Sequence, residues 1–454
     1  MQSIPLEGIL VAMEKRRLLI KDLTTTCEGI GHSDQGVVFV DGALPKEEVE
    51  VEISHLKKNY SQGTLLKILN RSEFRVDPPC KYFGQCGGCG LQHALQTLQL
   101  RLKTKRVVDA LTRIGKISNP LVEECKFTNQ TYGYRNKITT PLLESAGCKK
   151  IGFFKKRSHE IISIDTCLLH VPMADRIYAE VCNILLDSNL SFYNEEKRKG
   201  DYQHLIIRSS EFENGVLIGI IGLVKPTKAL REVAKLIVSI NGVKGVVYGK
   251  KGKATNSIYP DYLETLEGRG ELIEENLGVK VKLSLLSFFQ VNKACAALLY
   301  KEAFELAEIK HGDKVLDAYS GIGLFAIFLA KMGANVTAIE SFKEAVEDAR
   351  GNALENQVVV NWIEGKVEEK VKELTDFETI FINPPRKGVH MDVITALIKI
   401  SPKKIVYTSC DPGTLARDAD LLCQRGYVFK KAIPFDMFPQ TIHVETIALF
   451  YKKD

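Results

Sequence analysis

The last third of the chain alternates short apolar runs with stretches of helical periodicity. The apolar runs predict strands at residues 314–319, 335–340, 358–364, 379–383 and 404–408. Strands alternating with helices require right-handed crossovers, so this order predicts a doubly wound, largely parallel sheet. Two further apolar runs, 427–438 and 443–451, are separated by a short break and predict a terminal antiparallel hairpin.

A terminal hairpin added to a parallel sheet resembles the class I (Rossmann-like) methyltransferase fold rather than a dinucleotide dehydrogenase.

A different pattern occupies residues 18–72, where short apolar segments are separated by glycine-rich and polar breaks. Residues 49–53 alternate strictly between apolar and charged positions. Evenly spaced short strands predict a small β-barrel of the oligonucleotide-binding kind. Lys57 and Lys58 beside Tyr60 form the basic and aromatic mixture that favours single-stranded nucleic acid. A solvated hairpin tip would account for the same residues equally well.

The middle of the chain mixes strands, such as 203–208 and 215–221, with helices, such as 171–186, and predicts an α+β domain;. A length of 454 residues is too great for one ordinary core;. We therefore predict three domains: a barrel over residues 1–75, a central domain over 76–284 and a methyltransferase-like domain over 285–454.

The composition narrows the classes of protein to which the chain can belong but does not identify one. The chain is 45% hydrophobic and 26% charged, with a net charge of +6, which suits a polyanionic partner and a basic enzyme with a small substrate about equally;. No apolar run reaches the roughly 18 residues of a membrane span, and residues 1–10 lack a signal-peptide core;. We therefore expect a cytoplasmic protein with 11 cysteines, in which clustered cysteines favour metal binding or catalysis over disulfides and isolated ones are inert;.

The loop Asp317-Ala-Tyr-Ser-Gly-Ile-Gly323 follows a predicted strand and leads into a helix. Glycines such as Gly321 allow a tight turn and close approach of a ligand to the backbone. The full dinucleotide fingerprint is missing, since Ala326 stands where its third glycine would be;. Glu340 ends the next strand and is placed to bind both ribose hydroxyls of an adenosine. S-adenosylmethionine and NAD both fit this pattern.

Asn383-Pro-Pro-Arg386 ends the fourth predicted strand. The segment is similar to the Asp/Asn-Pro-Pro element that many methyltransferases place between the methyl donor and the target base. Amino-methylating enzymes continue it with an aromatic residue, so Arg386 argues against an exocyclic amine as the acceptor. A rigid loop that ends the strand would also explain the two prolines.

Cys410 follows the fifth predicted strand and precedes a Pro-Gly turn and a helix that we predict from Thr414. Ligands of open α/β sheets bind at this edge, and a nearby helix amino-terminus predicts a lowered thiol pKa. A thiolate here could add to carbon 6 of uracil and make carbon 5 nucleophilic enough to accept a methyl group.

That chemistry needs a base to remove the proton from carbon 5, after which the thiolate is eliminated. We assign this role to Glu445, because a carboxylate in the apolar run 443–450 must have its burial compensated;. An outward-facing position on the strand is the alternative. His443 fits a structural role as well as a place in the site.

A compact cysteine group, Cys80, Cys86 and Cys89, lies on a glycine-rich loop. Three thiolates at this spacing are typical of zinc or iron–sulfur sites, and the spacing does not separate the two. A fourth ligand would come from elsewhere, with Cys167 the first candidate and His93 the second.

Together these motifs resemble the RNA uracil-5-methyltransferases over essentially the whole chain. The barrel is similar to the TRAM domain, an RNA-binding module. The resemblance implies that Cys80, Cys86, Cys89 and Cys167 bind a 4Fe–4S cluster. It implies donor contacts from Gln290, in Phe289-Gln-Val-Asn292, and from Tyr319, Glu340 and Asn383. It makes Cys410, in Ser409-Cys-Asp-Pro-Gly-Thr-Leu-Ala-Arg-Asp418, the nucleophile and Glu445, in His443-Val-Glu445, the base. Tyr134-Arg-Asn-Lys137 matches the signature of the central domain.

The resemblance implies a monomeric enzyme that uses S-adenosylmethionine to make 5-methyluridine in structured RNA. The TRAM domain and the cluster point to 23S ribosomal RNA, with tRNA as the alternative substrate. It also implies that part of residues 94–128 packs on the catalytic domain. Asn383 departs from the Asp of many members, which leaves the local charge and the handling of the target open. An iron–sulfur redox enzyme using NAD and an RNA chaperone with a vestigial catalytic fold are the alternatives from other classes.

Overall fold

In a computed structural model, residues 14–34, 36–56, 60–255 and 258–453 are described. Lys57 and Lys58, the predicted RNA-binding lysines, lie outside these residues. The chain divides into two compact units: residues 1–102 with 440–442, and residues 103–439 with 443–454.

Within the described part of the first unit, strands β1 to β5 close into a barrel in the order β1-β2-β3-β5-β4. Along β4, Val49 and Val51 are fully buried while Glu50 between them is not, as their alternation predicted;. The predicted small barrel is therefore confirmed. Its strands are β1 (Lys15–Leu23), β2 (Glu28–Ser33), β3 (Gly36–Asp41), β4 (Glu48–Leu56) and β5 (Tyr60–Asn70).

After the barrel the first unit continues through turns that carry Cys80, Cys86 and Cys89 and ends within helix α1 (Gln96–Arg113). Leu91, Ala94 and Leu98 form a small apolar core with Cys27 and Leu44. This core gives the cysteine-bearing turns a support of their own.

The second unit contains two large sheets. The first has seven described strands in the order β12-β11-β10-β9-β6-β7-β8, with β10 and β11 parallel. Its strands and helices are β6 (Lys137–Ser145), β7 (Cys148–Phe154), β8 (Ile161–Ser163), α2 (Pro172–Asp187), β9 (Tyr202–Ser210), β10 (Gly215–Gly222), α3 (Lys228–Val238), β11 (Val243–Lys250) and β12 (Tyr262–Gly268). A separate ribbon follows, β13 (Glu271–Asn276) with β14 (Val279–Ser284).

The second large sheet has the described strand order β17-β16-β15-β18-β19-β21-β20. All its pairs are parallel up to β19, and β21 runs antiparallel between β19 and β20. Its strands are β15 (Lys314–Ala318), β16 (Asn335–Glu340), β17 (Asn361–Glu364), β18 (Thr379–Ile382), β19 (Lys404–Ser409), β20 (Tyr427–Phe435) and β21 (Glu445–Lys452). The predicted parallel sheet with a terminal antiparallel hairpin is confirmed.

Helices cover both faces of this sheet, which explains why its central strands are apolar without interruption;. They are α4 (Lys293–Ala307), α5 (Leu324–Lys331), α6 (Lys343–Glu355), α7 (Val367–Lys370) with a 3-10 turn at Val371–Glu373, α8 (Met391–Ile400) and α9 (Pro412–Gln424). Val107 and Leu111 of α1 join the core on one face, and Lys126 pairs with Phe435 at the edge. Among the described helices, none is both long and apolar enough to cross a membrane.

Candidate active site

A cavity opens at the carboxyl ends of β15 and β18, where the predicted donor loop lies. Four of the predicted donor-binding residues line it, namely Gln290, Tyr319, Gly321 and Asn383. Gly323 adopts φ +84°, and a Cβ there would stand 2.4 Å from Trp362, so this position requires glycine;. At Gly321 the space next to the backbone is open, since a Cβ would meet nothing within 4 Å. The loop therefore leaves room for a ligand where the sequence predicted one.

Glu340 ends β16 beside this loop and is held by backbone amides. Gly321 N–H donates to its Oε2 at 2.9 Å, and the N–H groups of Ser341 and Phe342 donate to its Oε1 at 2.6 and 2.9 Å. Charge-assisted bonds of this kind fix a carboxylate firmly. The Glu340 carboxylate, which we predict to bind the ribose, is thus oriented before the donor binds.

Asp317 is a second acid of this cavity. It is 3% exposed, and its Oδ2 has no hydrogen-bond partner among the described residues. Burial, and then the charge of Glu340, raise the pKa of Asp317 to about 7. An unpartnered carboxylate oxygen suits a cationic ligand group, and S-adenosylmethionine carries a sulfonium and an ammonium. The cavity therefore fits that donor.

The segment that carries Gln290 is held by the predicted central-domain signature. Asn136 donates from its side-chain nitrogen to the Gln290 carbonyl at 3.0 Å, and from its backbone N–H to Val291 at 3.0 Å. Tyr134 donates its hydroxyl to the carbonyl of Pro439 at 3.1 Å. The two motifs, far apart in sequence, meet at the donor cavity.

Cys410 follows β19 directly, and the backbone around it is pinned. Ser409 Oγ accepts the Asp411 N–H at 3.1 Å, and Asp411 Oδ1 accepts the Thr414 N–H at 2.9 Å as the cap of α9;. The helix begins at Pro412, two residues earlier than predicted, because proline suits the first helical turn;.

Strand pairing brings Glu445 close to Cys410. Ser409 of β19 pairs with Thr446 of β21 at the end of the ladder, and Cys410 follows Ser409 while Glu445 precedes Thr446. The charge of Glu445 acts on the Cys410 thiol. Glu445 is 5% exposed. Burial, opposed by Arg386, raises the pKa of Glu445 to about 8. The predicted nucleophile and base thus share one edge of the sheet, beside the donor cavity that Asn383 and Thr408 line.

The expected lowering of the Cys410 pKa is wrong. Burial raises the pKa of the Cys410 thiol, and the charge of Glu445 raises it further. Arg386 opposes both through its charge and a hydrogen bond to the sulfur;. Desolvation and a neighbouring acid outweigh the helix terminus, and Arg386 is the group that favours the thiolate.

A buried network fixes the loop that carries Arg386. Asp418 Oδ2 accepts the Tyr407 hydroxyl at 2.7 Å and the Val389 N–H at 3.0 Å. Arg417 pairs with Asp418 at 2.7 Å and donates to the Lys387 carbonyl at 3.0 Å. Sequence reasoning used Arg386 only to exclude an amine, and it missed this network and Asp317. A polar residue in each apolar strand, Tyr407 and Asp317, was the available signal.

His443 lies on the approach to β21, with an exposed side chain. Partial burial lowers the pKa of His443, and the charges of Arg106 and Arg386 add to this effect. This direction favours the neutral imidazole.

The predicted cluster ligands fall in different units. Cys80, Cys86 and Cys89 belong to the first unit and Cys167 to the second, and all four are partly buried. Burial raises the pKa of Cys86, and the charge of nearby Cys80 adds to this, while the Gly88 N–H donates to the Cys86 sulfur at 3.4 Å. No group of three or more His, Cys, Asp or Glu side chains in the described parts of the chain is arranged to hold a metal ion. By chemistry, thiols with backbone N–H donors suit an iron–sulfur cluster.

The chain is similar to known RNA methyltransferases. The family model for tRNA (uracil-5-)-methyltransferase matches residues 271–453, and that for the TRAM domain matches residues 13–66. An uncharacterized RNA methyltransferase of Clostridium tetani is 37% identical over 95% of each chain. Another, from Caldanaerobacter subterraneus, is 38% identical over 96% of this chain and 98% of its own. A Pyrococcus abyssi tRNA (uracil-54, C5)-methyltransferase, solved with S-adenosyl-L-homocysteine, is 27% identical with a TM-score of 0.77, covering 96% of this chain and 100% of that one.

Proposed function

The chain belongs to the RNA (uracil-5-)methyltransferase family, and from this membership we propose a mechanism in which Cys410 is the nucleophile and Glu445 the base. Methyl transfer from S-adenosylmethionine to uracil in RNA is the activity of that family. The observation that supports the mechanism most is the pairing of Ser409 with Thr446, which brings the neighbouring Cys410 and Glu445 to one end of the ladder, next to the cavity that Thr408 and Asn383 line.

Cys410 Sγ, as thiolate, adds to carbon 6 of the target uracil, and the electrons of the 5,6 double bond move toward carbon 5 and the O4 carbonyl. Gln290, Tyr319, Glu340 and Asn383 would hold the donor, whose sulfonium would give its methyl group to carbon 5 and leave as the neutral thioether S-adenosylhomocysteine. The Asp317 carboxyl lines the same cavity. Glu445 then removes the proton from carbon 5, the double bond re-forms and the thiolate leaves. Arg386 favours the Cys410 thiolate both before it adds to carbon 6 and after it leaves. The uridine must leave its stack to reach Cys410.

The pKa of Glu445 suits this role. A general base works best when its pKa lies near the working pH, and that of Glu445 is raised to about 8;. An ordinary exposed glutamate would be a much weaker proton acceptor.

RNA carrying 5-fluorouridine at the target site tests the proposal, because fluorine cannot be removed as a proton and the adduct is trapped. We expect a covalent complex that survives denaturation and is lost in Cys410→Ala, whereas Cys423→Ala, the matched control, keeps it. No adduct on an RNA that the enzyme methylates would overturn the mechanism.

We propose 23S ribosomal RNA as the substrate, from the resemblance to the ribosomal branch of the family. tRNA is the second candidate, because the Pyrococcus tRNA enzyme matches over its full length. Mapping 5-methyluridine in both RNAs from cells with and without this protein decides between them. Loss from 23S RNA alone supports the proposal, and loss from tRNA alone refutes it.

We also propose that Cys80, Cys86 and Cys89, with Cys167 as the ligand that the resemblance assigns, hold a 4Fe–4S cluster. Cysteine thiolates are the ligands that hold such a cluster, and a backbone N–H that contacts a sulfur, as Gly88 does at Cys86, tunes its potential;. Anaerobically purified protein should contain about four iron and four sulfide per chain, as this cluster type implies. Zinc in place of iron would refute this assignment.

A further inference from the structure

A second cavity lies on the central sheet of the second unit, lined by residues that the proposed mechanism does not use. Its volume is about 380 Å³, within the range of ligand-binding pockets, roughly 300–1,000 Å³;. The lining combines apolar and aromatic side chains with polar ones: Pro141, Leu143, Phe154, Tyr193, Gln203 and His204.

A β-bulge explains why two neighbouring residues of one strand line the same cavity. In the pairing of β9 with β10, His204 lies opposite Ile221 and Tyr202 opposite Gly222, so Gln203 is an extra residue. In a regular strand, Gln203 and His204 would point to opposite faces. A bulge redirects side chains in this way, and bulges are frequent beside binding sites.

Both residues bring buried polar atoms that lack a partner. Gln203 is 6% exposed, and neither its Oε1 nor His204 Nδ1 has a hydrogen-bond partner among the described residues. Leaving such atoms unpaired costs about 1–3 kcal/mol each, so each of them needs a partner from outside the described residues, and a bound ligand is one that this cavity could admit. Burial, with the charge of Lys251, lowers the pKa of His204 to about 4, which leaves its ring neutral.

Two aromatic residues in the lining, Tyr193 and Phe154, offer ring surfaces on which a nucleobase could stack. Tyr193 is held in place by a bridge to Leu143, with the Glu144 N–H donating to the Tyr193 carbonyl at 2.9 Å. Phe154 is 38% exposed and contacts His159 edge to face, with ring centroids 5.9 Å apart. Partly exposed aromatic rings beside unpartnered hydrogen-bonding groups are the features that bind unstacked RNA bases.

The segments around the cavity are strongly basic. Three of them contribute lining residues and carry the following lysines and arginines: Lys155, Lys156 and Arg157; Lys197, Arg198 and Lys199; Lys250 and Lys253. Lys251 is buried and donates to the Thr255 carbonyl at 2.5 Å, so it is not counted with them. The acids in these segments are fewer, namely Glu160, Glu195 and Glu196. Such a surplus of positive charge attracts a phosphate backbone.

We propose that this cavity binds one unstacked nucleobase of the substrate RNA, with the edge of the base on Gln203 and His204 and the adjoining phosphate near Arg198. The proposal rests on RNA being the substrate and adds a second base contact to the one at Cys410. It gives the central domain a part in recognising single-stranded segments of the target RNA.

Binding of a labelled, randomised RNA hexanucleotide to the full chain tests this. Gln203→Leu removes the acceptor at similar volume, so we expect about tenfold weaker binding with an unchanged or higher Tm. Arg198→Ala, an exposed change that keeps the fold, should also weaken binding about tenfold;. Arg350→Ala, an exposed arginine on α6 outside the cavity, is the matched control and should bind like the wild type. Ultraviolet crosslinking should attach the RNA to the peptide that contains Tyr193.

Adduct formation with 5-fluorouridine RNA, measured on the same preparations, separates this proposal from the mechanism. If the wild type forms the adduct but Gln203→Leu and Arg198→Ala bind RNA within twofold of it, the cavity proposal is wrong and the mechanism stands. If both variants weaken binding while the wild type forms no adduct, the cavity stands and the mechanism is wrong. Wild-type protein that binds no hexanucleotide and gives no crosslink at Tyr193 overturns the cavity proposal.

Discussion

Cys410 and the thiols of the Cys80–Cys89 segment are surrounded by different kinds of structure. Cys410 sits at a strand end, where strand pairing and a buried network fix both Glu445 and Arg386 around it. Cys80, Cys86 and Cys89 lie on turns, where a backbone N–H of the same segment contacts one of the thiols. The proposed catalytic thiol therefore has its charged neighbours fixed by long-range pairing, whereas the contact to a proposed cluster thiol comes from its own segment.

A cysteine-to-serine substitution in each of the two regions should give the largest difference between them. Cys410→Ser should lower kcat at least about 10⁴-fold, because a hydroxyl cannot act as the nucleophile at carbon 6. Cys86→Ser should release iron but leave 5-fluorouridine adduct formation within tenfold of the wild type at saturating RNA. Measured rates, iron content and Tm check both. An inactive Cys86→Ser with intact fold would show that the two regions are coupled.

Glu445 gives the next largest effect. Glu445→Gln should form the adduct with ordinary uridine RNA but release it about 10²–10⁴-fold more slowly, because the general base is gone. In the wild type, release needs the deprotonated carboxylate, whose pKa is about 8. Release should therefore rise with pH up to about 8 and then level off, and the variant should lose that dependence. Rapid-quench measurement of the preformed adduct isolates this step, and unchanged release in the variant would remove Glu445 from the mechanism.

Arg386 should have a smaller effect, confined to adduct formation. It opposes the upward shift of the Cys410 pKa, so Arg386→Gln should raise that pKa further and slow adduct formation about tenfold at neutral pH;. Raising the pH should restore the rate. The pH dependence of thiol alkylation reads the pKa directly, and Lys387→Gln, an exposed neighbour, is the control. An alkylation profile identical to the wild type would exclude this role.

The parts of the fold that depend on periodicity could be predicted from sequence, and those that depend on long-range pairing could not. The strands around Asp317, Glu340 and Cys410 follow from apolar runs and turn residues. The pairing of Ser409 with Thr446 joins strands separated by a helix and another strand, so local pattern gives no information on its register;.

The direction of the Cys410 pKa shift could not be predicted from the sequence either. The helix after Cys410 is visible in the sequence and suggests a lowered pKa, but the burial of the thiol and the position of Glu445 decide the direction. The bulge at Gln203 was invisible for a related reason, since one extra residue in an apolar run leaves the pattern unchanged. Resemblance to the family, and not periodicity, singled out Gln290.

The ladder between β19 and β21 also governs where the chain tolerates a change in length. Residues inserted at the turn around Gly426 leave Ser409 opposite Thr446, because the hydrogen bonds between β19 and β21 set their register whatever the length of the connection between them. One residue inserted between Glu445 and Ile447 would turn Glu445 to the other face of the sheet. Length variation among natural homologues should therefore collect at that turn and spare the start of β21, and loop grafts or permuted termini can be placed by the same rule.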